Sequence, residues 1–336
     1  MDVPVLVWAL TGVAVVGLIV FDFYAHVRTP HEPTFRESAW WSTVYIALAL
    51  VFGVGLGVVA GWDHGAEYFA GYVTEKSLSV DNLFVFLIIM TRFAVPRAFQ
   101  QKVLLVGVAI ALVLRTIFIL LGAAAIEQWS WVFYVFGAFL VYTGIKLARD
   151  HGDETPDDDT GNGVLVRFVR RVLPTTDVYH DDRLTVRVDG RRVLTPMLLV
   201  MVAIGSTDIL FALDSIPAIY GLTSEPYIVF TANAFALLGL RQLYFLIGGL
   251  LERLVYLSQG LAAILGFIGI KLVLHAMHTN ELPFINGGEH VEWAPEIPIW
   301  LSLTVILGTL AIATVASLVK TRGDRRSERA VAAVEE

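Results

Sequence analysis

Two acidic signatures stand in otherwise apolar surroundings. The stretch EKSLSVDNLFVFLIIM, from Glu75 to Met90, carries Glu75, Lys76, Asp81 and Asn82, and DILFALDSIPA, from Asp208, carries Asp208, Asp214 and Ser215. Arg115 and Arg241 sit in comparable apolar runs. Each Asp or Arg at the centre of a spanning helix costs roughly 2.5–3.5 kcal/mol on insertion scales. Ion pairs that lock helices together account for the two arginines. Four acids against two arginines still leave two negative charges, which one divalent cation neutralises if all six groups are ionised neighbours. Glu75, Asp81, Asn82, Asp208, Asp214 and Ser215 are therefore the candidate metal ligands, with Arg115 and Arg241 as charge-compensating partners. All six ligand candidates offer oxygen, with hydroxyls at Ser77, Ser79, Ser206 and Thr207 nearby. Oxygen ligands suit Mg²⁺, Ca²⁺ or Mn²⁺ rather than Cu⁺.

Helical geometry restricts how these acids cooperate. Acids at i and i+6 lie about 120° apart and roughly 9 Å apart along a straight helix, so they do not share a face. Either the helix unwinds between them or each acid serves a different step. Pro217 lacks an N–H and deprives the Leu213 carbonyl of its helical partner, so unwinding is expected beside Asp214. His275 and His278, close to Glu281, form either an external metal site or two interfacial histidines.

The elements that must hold these residues are membrane helices. Of 336 residues, 56% are hydrophobic and only 16% charged, and the mean hydropathy is +0.69. Soluble domains run nearer 45–50% apolar and about 25% charged. There are no cysteines, which excludes disulfides, thiolate metal sites and cysteine nucleophiles. No nucleophile–base pair or cofactor motif is present, so an enzyme is not expected, nor a tightly bound cofactor or a nucleic-acid partner. A span needs roughly 20 mostly apolar residues. Nine are predicted, at 4–24, 41–61, 69–91, 103–125, 128–147, 195–217, 226–248, 256–276 and 297–319. The first has no basic flank or cleavage site and is read as a retained helix. Twenty-one of the 24 Lys and Arg residues fall in the connections after the odd-numbered spans up to the seventh and in the tail. The opposite side holds Lys76 and Lys271, and Arg115 lies inside a span. The positive-inside rule then predicts an external N-terminus and a cytoplasmic C-terminus.

The connection 149–194 opens with the acidic DETPDDDTGNG, continues as the basic amphipathic VLVRFVRRVL and ends in LTVRVDGRRVLT. These read as disordered, as lying on the anionic inner leaflet, and as a hairpin turning at Asp189-Gly190. A solvated linker is the expected role of the whole, with a lid or docking element as the alternative.

The chain also repeats itself. Glu75 and Asp81 align with Asp208 and Asp214, LRTIFILLG from Leu114 aligns with LRQLYFLIG from Leu240, and GIKL at Gly144 recurs at Gly269, pairing Lys146 with Lys271. Spans 3–5 therefore match spans 6–8. Three is odd, so the copies cross the membrane in opposite senses, the build of many secondary transporters. The fold class expected is an all-α polytopic membrane protein with a 3+3 inverted repeat. Its parts are two N-terminal spans (1–62), a first repeat (63–148), a cytoplasmic loop (149–194), a second repeat (195–277) and a last span with its tail (278–336).

EKSLSVDNLFVF, ALVLRTIFILLG, YVFGAFLVYTGIKL, TDILFALDSIPAIYGLTSEPYIVFTANAFALLGLRQLYFL and FIGIKLVL together closely resemble the TerC/Alx family, over about residues 65–275. Members are associated with tellurium resistance, pH response and manganese homeostasis. The resemblance implies a multi-pass protein of the bacterial inner membrane that exports Mn²⁺, distantly akin to lysine-exporter-type transporters. Carboxylates can exchange a proton for the metal, so protons are a candidate exchange partner. Carried over by position, the family's acidic signatures fall on Glu75, Asp81, Asn82, Asp208, Asp214 and Ser215. Several members have an acid three residues before the first Asp of the second signature, where this chain has Gly205. The rival function is a membrane assembly or metalation factor acting on other proteins.

Overall fold

The computed structural model describes residues 3–27, 31–129, 131–149, 166, 171, 174–176, 178–180, 182–188, 191–247, 255–279, 286, 289, 291 and 293–335. Ten α-helices carry nearly all of it. The helices α1 (Val5–Asp22) and α2 (Phe35–Ala60) come first, joined in part by a π-helical turn at Phe23–Val27. Then follow α3 (Trp62–Arg92), α4 (Arg97–Gln128) and α5 (Val132–Arg149). A short hairpin, β1 (Thr185–Val188) with β2 (Arg191–Leu194), precedes α6 (Pro196–Tyr220), α7 (Pro226–Leu237), α8 (Leu240–Ile247), α9 (Leu257–His278) and α10 (Ile299–Glu335). The starts are chemically marked. Thr34 caps α2 by accepting the Glu37 N–H at 3.2 Å, and Pro occupies the first turn of α6 and α7, where a missing N–H costs nothing.

Eight helical segments are long and apolar enough to cross a membrane, with α7 and α8 counted together over Pro226–Leu246. In lipid every backbone polar group must find its partner within the segment, which leaves helices as the workable form for such apolar runs. The ninth expected span, 69–91, is a continuous helix within α3, but falls outside that set. Glu75, Lys76 and Asp81 are the reason: α3 is an interior helix that carries charge. The enclosure of the spans differs sharply. In an 18-residue stretch of each span, 89% of the residues are buried for Pro226–Leu246, 11% for Val5–His26 and 17% for Ile299–Thr321. The outer helices expose large apolar side chains such as Val13, Val51, Val59 and Ile312, the surface that acyl chains cover.

Inside this ring α3 packs on α7, α4 on α6, and α3 on α6. The tightest seam is α5 against α9. A Cβ on Gly269 would sit 2.8 Å from the Val141 N and the Gly137 O, and one on Gly144 would sit 3.0 Å from the Gly266 N and 2.9 Å from the Ala262 O. Only glycine admits so close a backbone approach. The offset that carries Gly144 onto Gly269 also carries Gly137 onto Ala262 and Val141 onto Gly266, so these contacts exchange with one another.

Two expectations change. The helix α6 continues through Pro217 to Tyr220 rather than unwinding beside Asp214. The break falls instead between α7 and α8, where Leu238 turns extended (ψ 131°) and Gly239 adopts φ +80°. The second change concerns the connection after α5. Its second half is not a solvated linker. Tyr179 donates to the Phe93 carbonyl at 2.8 Å, Lys102 reaches Asp182 Oδ2 at 2.6 Å, and the buried Thr195 hydroxyl donates to the Arg183 carbonyl at 2.6 Å. The Lys102 ammonium holds the Asp182 carboxyl below the usual carboxylate range, and burial pushes the Tyr179 phenol up to about 12. The pairing Val188↔Arg191 matches the expected hairpin. Its turn residues 189–190, the acidic stretch and most of VLVRFVRRVL lie outside the described residues.

Candidate functional site

The structure sorts the candidate charges into separate clusters. The first surrounds Arg115 of α4, which is fully buried. Its Nε and Nη2 donate to the two oxygens of Asp208 on α6, at 3.1 and 3.0 Å. This two-point fork is the strongest form of ion pair available to arginine. Nη1 donates to Glu75 Oε1 on α3 and to Ser215 Oγ on α6, the latter at 3.2 Å. Ser79 lies within 3.5 Å of the same Glu75 oxygen. Three helices thus meet on one guanidinium, which joins one acid from each of the two signatures. Both are buried, Glu75 at 0% exposure and Asp208 at 2%. Glu75 Oε2 has no hydrogen-bond partner among the described residues. Buried carboxylate oxygens rarely go unmatched. One guanidinium against two carboxylates also leaves a negative charge.

Arg241 of α8 stands apart from this cluster. Its Nε and Nη2 donate to Asp22 at 3.1 and 2.8 Å, and Nη1 donates to Gln101 Oε1. Asp22 also accepts from Tyr45 Oη at 3.1 Å and Gln242 Nε2 at 3.0 Å, and His26 Nδ1 lies 3.2 Å away. The sequence reading missed Asp22. It therefore drew the two arginines towards one site, where the structure gives each its own acids.

The other candidates lie on the same two helices, α3 and α6. Asp214 is half-buried and accepts from Thr143 Oγ1 of α5 at 3.2 Å. Asn82 is buried on α3. Asp81 follows Glu75 on α3 by six positions, and its side chain lies outside the described residues. Among the described residues no three His, Asp or Glu side chains gather as a ready metal site. His278 Nε2 lies 3.4 Å from Glu296 Oε1, and Glu281 lies outside the described residues.

A cavity of about 500 Å³ opens at the far ends of α6 and α9, lined by Glu67, Tyr220, Thr223, Lys271, His275 and Glu296. Glu67 accepts from Thr223 Oγ1 at 2.7 Å. It precedes Glu75 by eight residues on α3, about 12 Å of helix rise. One helix therefore runs from the cavity wall to the buried cluster.

Membrane spans around a core of buried charge make this a multi-pass integral membrane protein with a polar interior. The chain belongs to a known family of that kind: the model described as "Integral membrane protein TerC family" matches residues 60–325. That segment contains Glu75, Arg115, Asp208 and Arg241 but not Asp22. An uncharacterized membrane protein of Mycobacterium tuberculosis (strain H37Rv) is 52% identical over 328 residues, 97% of this chain and 82% of the relative. One from Myxococcus xanthus is 39% identical over 315 residues, 94% of this chain and 92% of the relative. A relative in Escherichia coli (strain K12), named as a membrane-bound redox modulator, Alx, is 39% identical over 316 residues, 91% of this chain and 92% of the relative. No solved structure matches the chain.

Proposed function

We propose that this protein exports a divalent metal ion, Mn²⁺ foremost, from the bacterial cytoplasm by alternating access of α3–α5 against α6–α9. The observation that carries the reading is the Arg115 cluster. Glu75 and Asp208 align in the two sequence copies, and one guanidinium spans both while Glu75 Oε2 stays unmatched among the described residues. Acids inside a membrane mark ion pathways. Arg115 acts as a resident cation that keeps the acids together when no metal is bound. An arriving divalent ion displaces it and brings the second charge that the guanidinium lacks. Asp81, Asn82, Asp214 and Ser215 complete the oxygen set along the route, and hard oxygen donors favour Mn²⁺ over soft metals. The exchange-symmetric packing, α3 on α7 with α4 on α6 and the α5–α9 seam on itself, supports two inverted halves. Protons are the natural counter-cargo, because a carboxylate that releases metal can take one up. The Lys and Arg asymmetry supports an inner-membrane orientation with the N-terminus outside and the C-terminus in the cytoplasm.

The test is Mn²⁺ accumulation in everted membrane vesicles with and without a proton gradient. The wild type accumulates Mn²⁺. Glu75→Gln, Asp208→Asn, Asp81→Asn and Asp214→Asn reach normal membrane abundance and lose accumulation by tenfold or more. Normal abundance with intact accumulation in all four variants sinks the proposal.

The second reading is a membrane factor that acts on other proteins. The Escherichia coli relative is named as a membrane-bound redox modulator, and the hairpin segment docked at Phe93 and Lys102 is a surface such a factor could use. This sequence holds no cysteine, so a redox effect through its own thiols is closed to it. A redox effect reached through cellular metal remains compatible with export. Deleting 150–190, which removes Tyr179 and Asp182 with the rest of the loop, separates the two readings: an exporter keeps its vesicle accumulation, and a factor that uses this loop loses its activity.

A further inference from the structure

Ser and Thr residues in these helices commonly turn their hydroxyls back onto the carbonyl one turn earlier. Ser77 donates to Val73 at 2.7 Å, Thr116 to Leu112 at 2.6 Å and Ser317 to Ala313 at 2.7 Å. Ser38 and Ser42 of α2 do not. They stand four apart on one buried face of the helix, in line with Tyr45. Neither hydroxyl has a hydrogen-bond partner among the described residues. The same face reaches the Arg241 nest, where Tyr45 donates to Asp22 at 3.1 Å. A third unmatched atom lies there. Gln242 gives its Nε2 to Asp22 at 3.0 Å, which fixes the carboxamide's orientation and leaves Oε1 buried without a donor among the described residues. Ser38 is 2% exposed and Gln242 4%, so neither is served by bulk solvent. Polar atoms this deeply buried are rarely left without a partner.

Two small voids adjoin these side chains, and Arg241 and Gln242 line both. His26, Glu37 and Ser38 wall the first, and Asp22 and Tyr45 the second. Each offers about 10 Å³, close to the least room that takes a water. His26 Nδ1 lies 3.2 Å from Asp22 Oδ1 but out of line for a hydrogen bond. Size and charge select the occupant. Asp22 and Arg241 cancel each other, so the nest calls for neither a cation nor an anion. Its open groups are two hydroxyls, which donate and accept, and a carboxamide oxygen, which accepts. A neutral molecule of that size that both gives and takes hydrogen bonds is water.

We propose that the Arg241 nest is a hydration site that holds one water in each void and so completes the bonding of Ser38, Ser42 and Gln242. The waters form a polar file from the half-buried Glu37 towards Asp22. It is wide enough for water and too narrow for a hydrated metal ion, and it is separate from the acids around Arg115. Neither the transport reading nor a metal is needed for it.

The test is radiolytic labelling of the wild-type protein in nanodiscs, in H₂¹⁸O with chelator present, because an irradiated bound water oxidises the side chains beside it. Tyr45 and His26 should take up label several-fold faster than Tyr68, which is fully buried, bonds the Ala49 carbonyl at 3.1 Å and lines neither void. Thermal melts supply the second measurement. Ser38→Ala and Ser42→Ala each take a partner from a water and are expected to melt about 1–3 °C lower. In a dry nest the same changes remove an unmet hydroxyl, and the protein melts higher. Label on Tyr45 and His26 no faster than on Tyr68 overturns the proposal, as does Ser38→Ala melting at or above the wild type. The labelling needs no variant, so it decides the matter even where a variant does not accumulate. No divalent metal or flux enters either measurement, so failure here and failure of Mn²⁺ export are told apart.

Discussion

At the scale of single residues, the two buried arginines look alike in sequence and differ in role. Arg115 holds two acids that come from opposite halves of the chain, and Arg241 holds Asp22 from α1 within a nest of Tyr45, Gln101 and Gln242. Removing one partner of a buried pair strands the other charge and costs about 3–5 kcal/mol. Asp22→Asn is therefore expected to lower membrane abundance and thermal stability by that order while each surviving molecule still transports. Loss of transport per molecule at unchanged stability would move Asp22 into the ion pathway. Arg115→Gln strands two carboxylates at once and is expected to be less abundant than Glu75→Gln, measured side by side in the same membranes. The acids of the two signatures were legible as intramembrane charge because each stands in an apolar run. Asp22 was not. It closes the first span beside Phe21 and Phe23 and reads there as an interfacial acid. The clue was Arg241, since a buried arginine needs an acid of its own and Glu75 and Asp208 both pair with Arg115.

At the scale of elements, position along the helix decided what sequence punctuation does. Pro217 lies in the last turn of α6, where losing one hydrogen bond is cheap, and the helix runs on to Tyr220. Gly239 sits inside an apolar span and takes a backbone angle that other residues avoid, so it sets the break. In the sequence alignment of LRTIFILLG with LRQLYFLIG the matching place is held by Val113, and α4 is unbroken. Gly239→Ala is expected to cost about 1–2 kcal/mol from the backbone angle, and more because its Cβ would meet Tyr45 Cβ at 2.9 Å; chemical denaturation in detergent reads the loss. The docked hairpin segment offers a pH handle. The Asp182 carboxyl is held below its ordinary range by Lys102, so its contribution is present above the unfolded value of about 3.9 and fades as pH falls through the lower folded value. Protease cutting within 174–195 should stay slow down to about pH 4 and quicken below it, and Asp182→Asn should be cut faster at pH 7 with no such step. The hairpin was readable from alternation around Asp189-Gly190. Its attachment was not, because Phe93 contributes a carbonyl, which sequence does not distinguish.

At the scale of the whole molecule, the absence of cysteine makes orientation simple to measure. Ser224, exposed between α6 and α7, and Arg187, exposed on β1, are suited to single cysteine substitutions. Ser224→Cys should react with an impermeant thiol reagent on intact cells and Arg187→Cys only after permeabilisation; the reverse result inverts the export direction as well. The number of spans was readable to within one helix, and the doubtful one, α3, is the helix that carries the chemistry. Composition counts charge against a span, whereas the fold hides that charge inside. The seam between α5 and α9 has a further consequence. Backbone there meets backbone through Gly137, Gly144, Gly266 and Gly269, with only the γ-methyls of Val141 and Val273 beside the contact. Such a contact behaves as an axle: it can turn but not stretch. A bundle that rocks about this line moves least at its own glycines. Spin labels on α5 and α9 should hold a fixed separation while pairs on α3 and α6 broaden with metal, and a crosslink laid along the axle should leave the machine running.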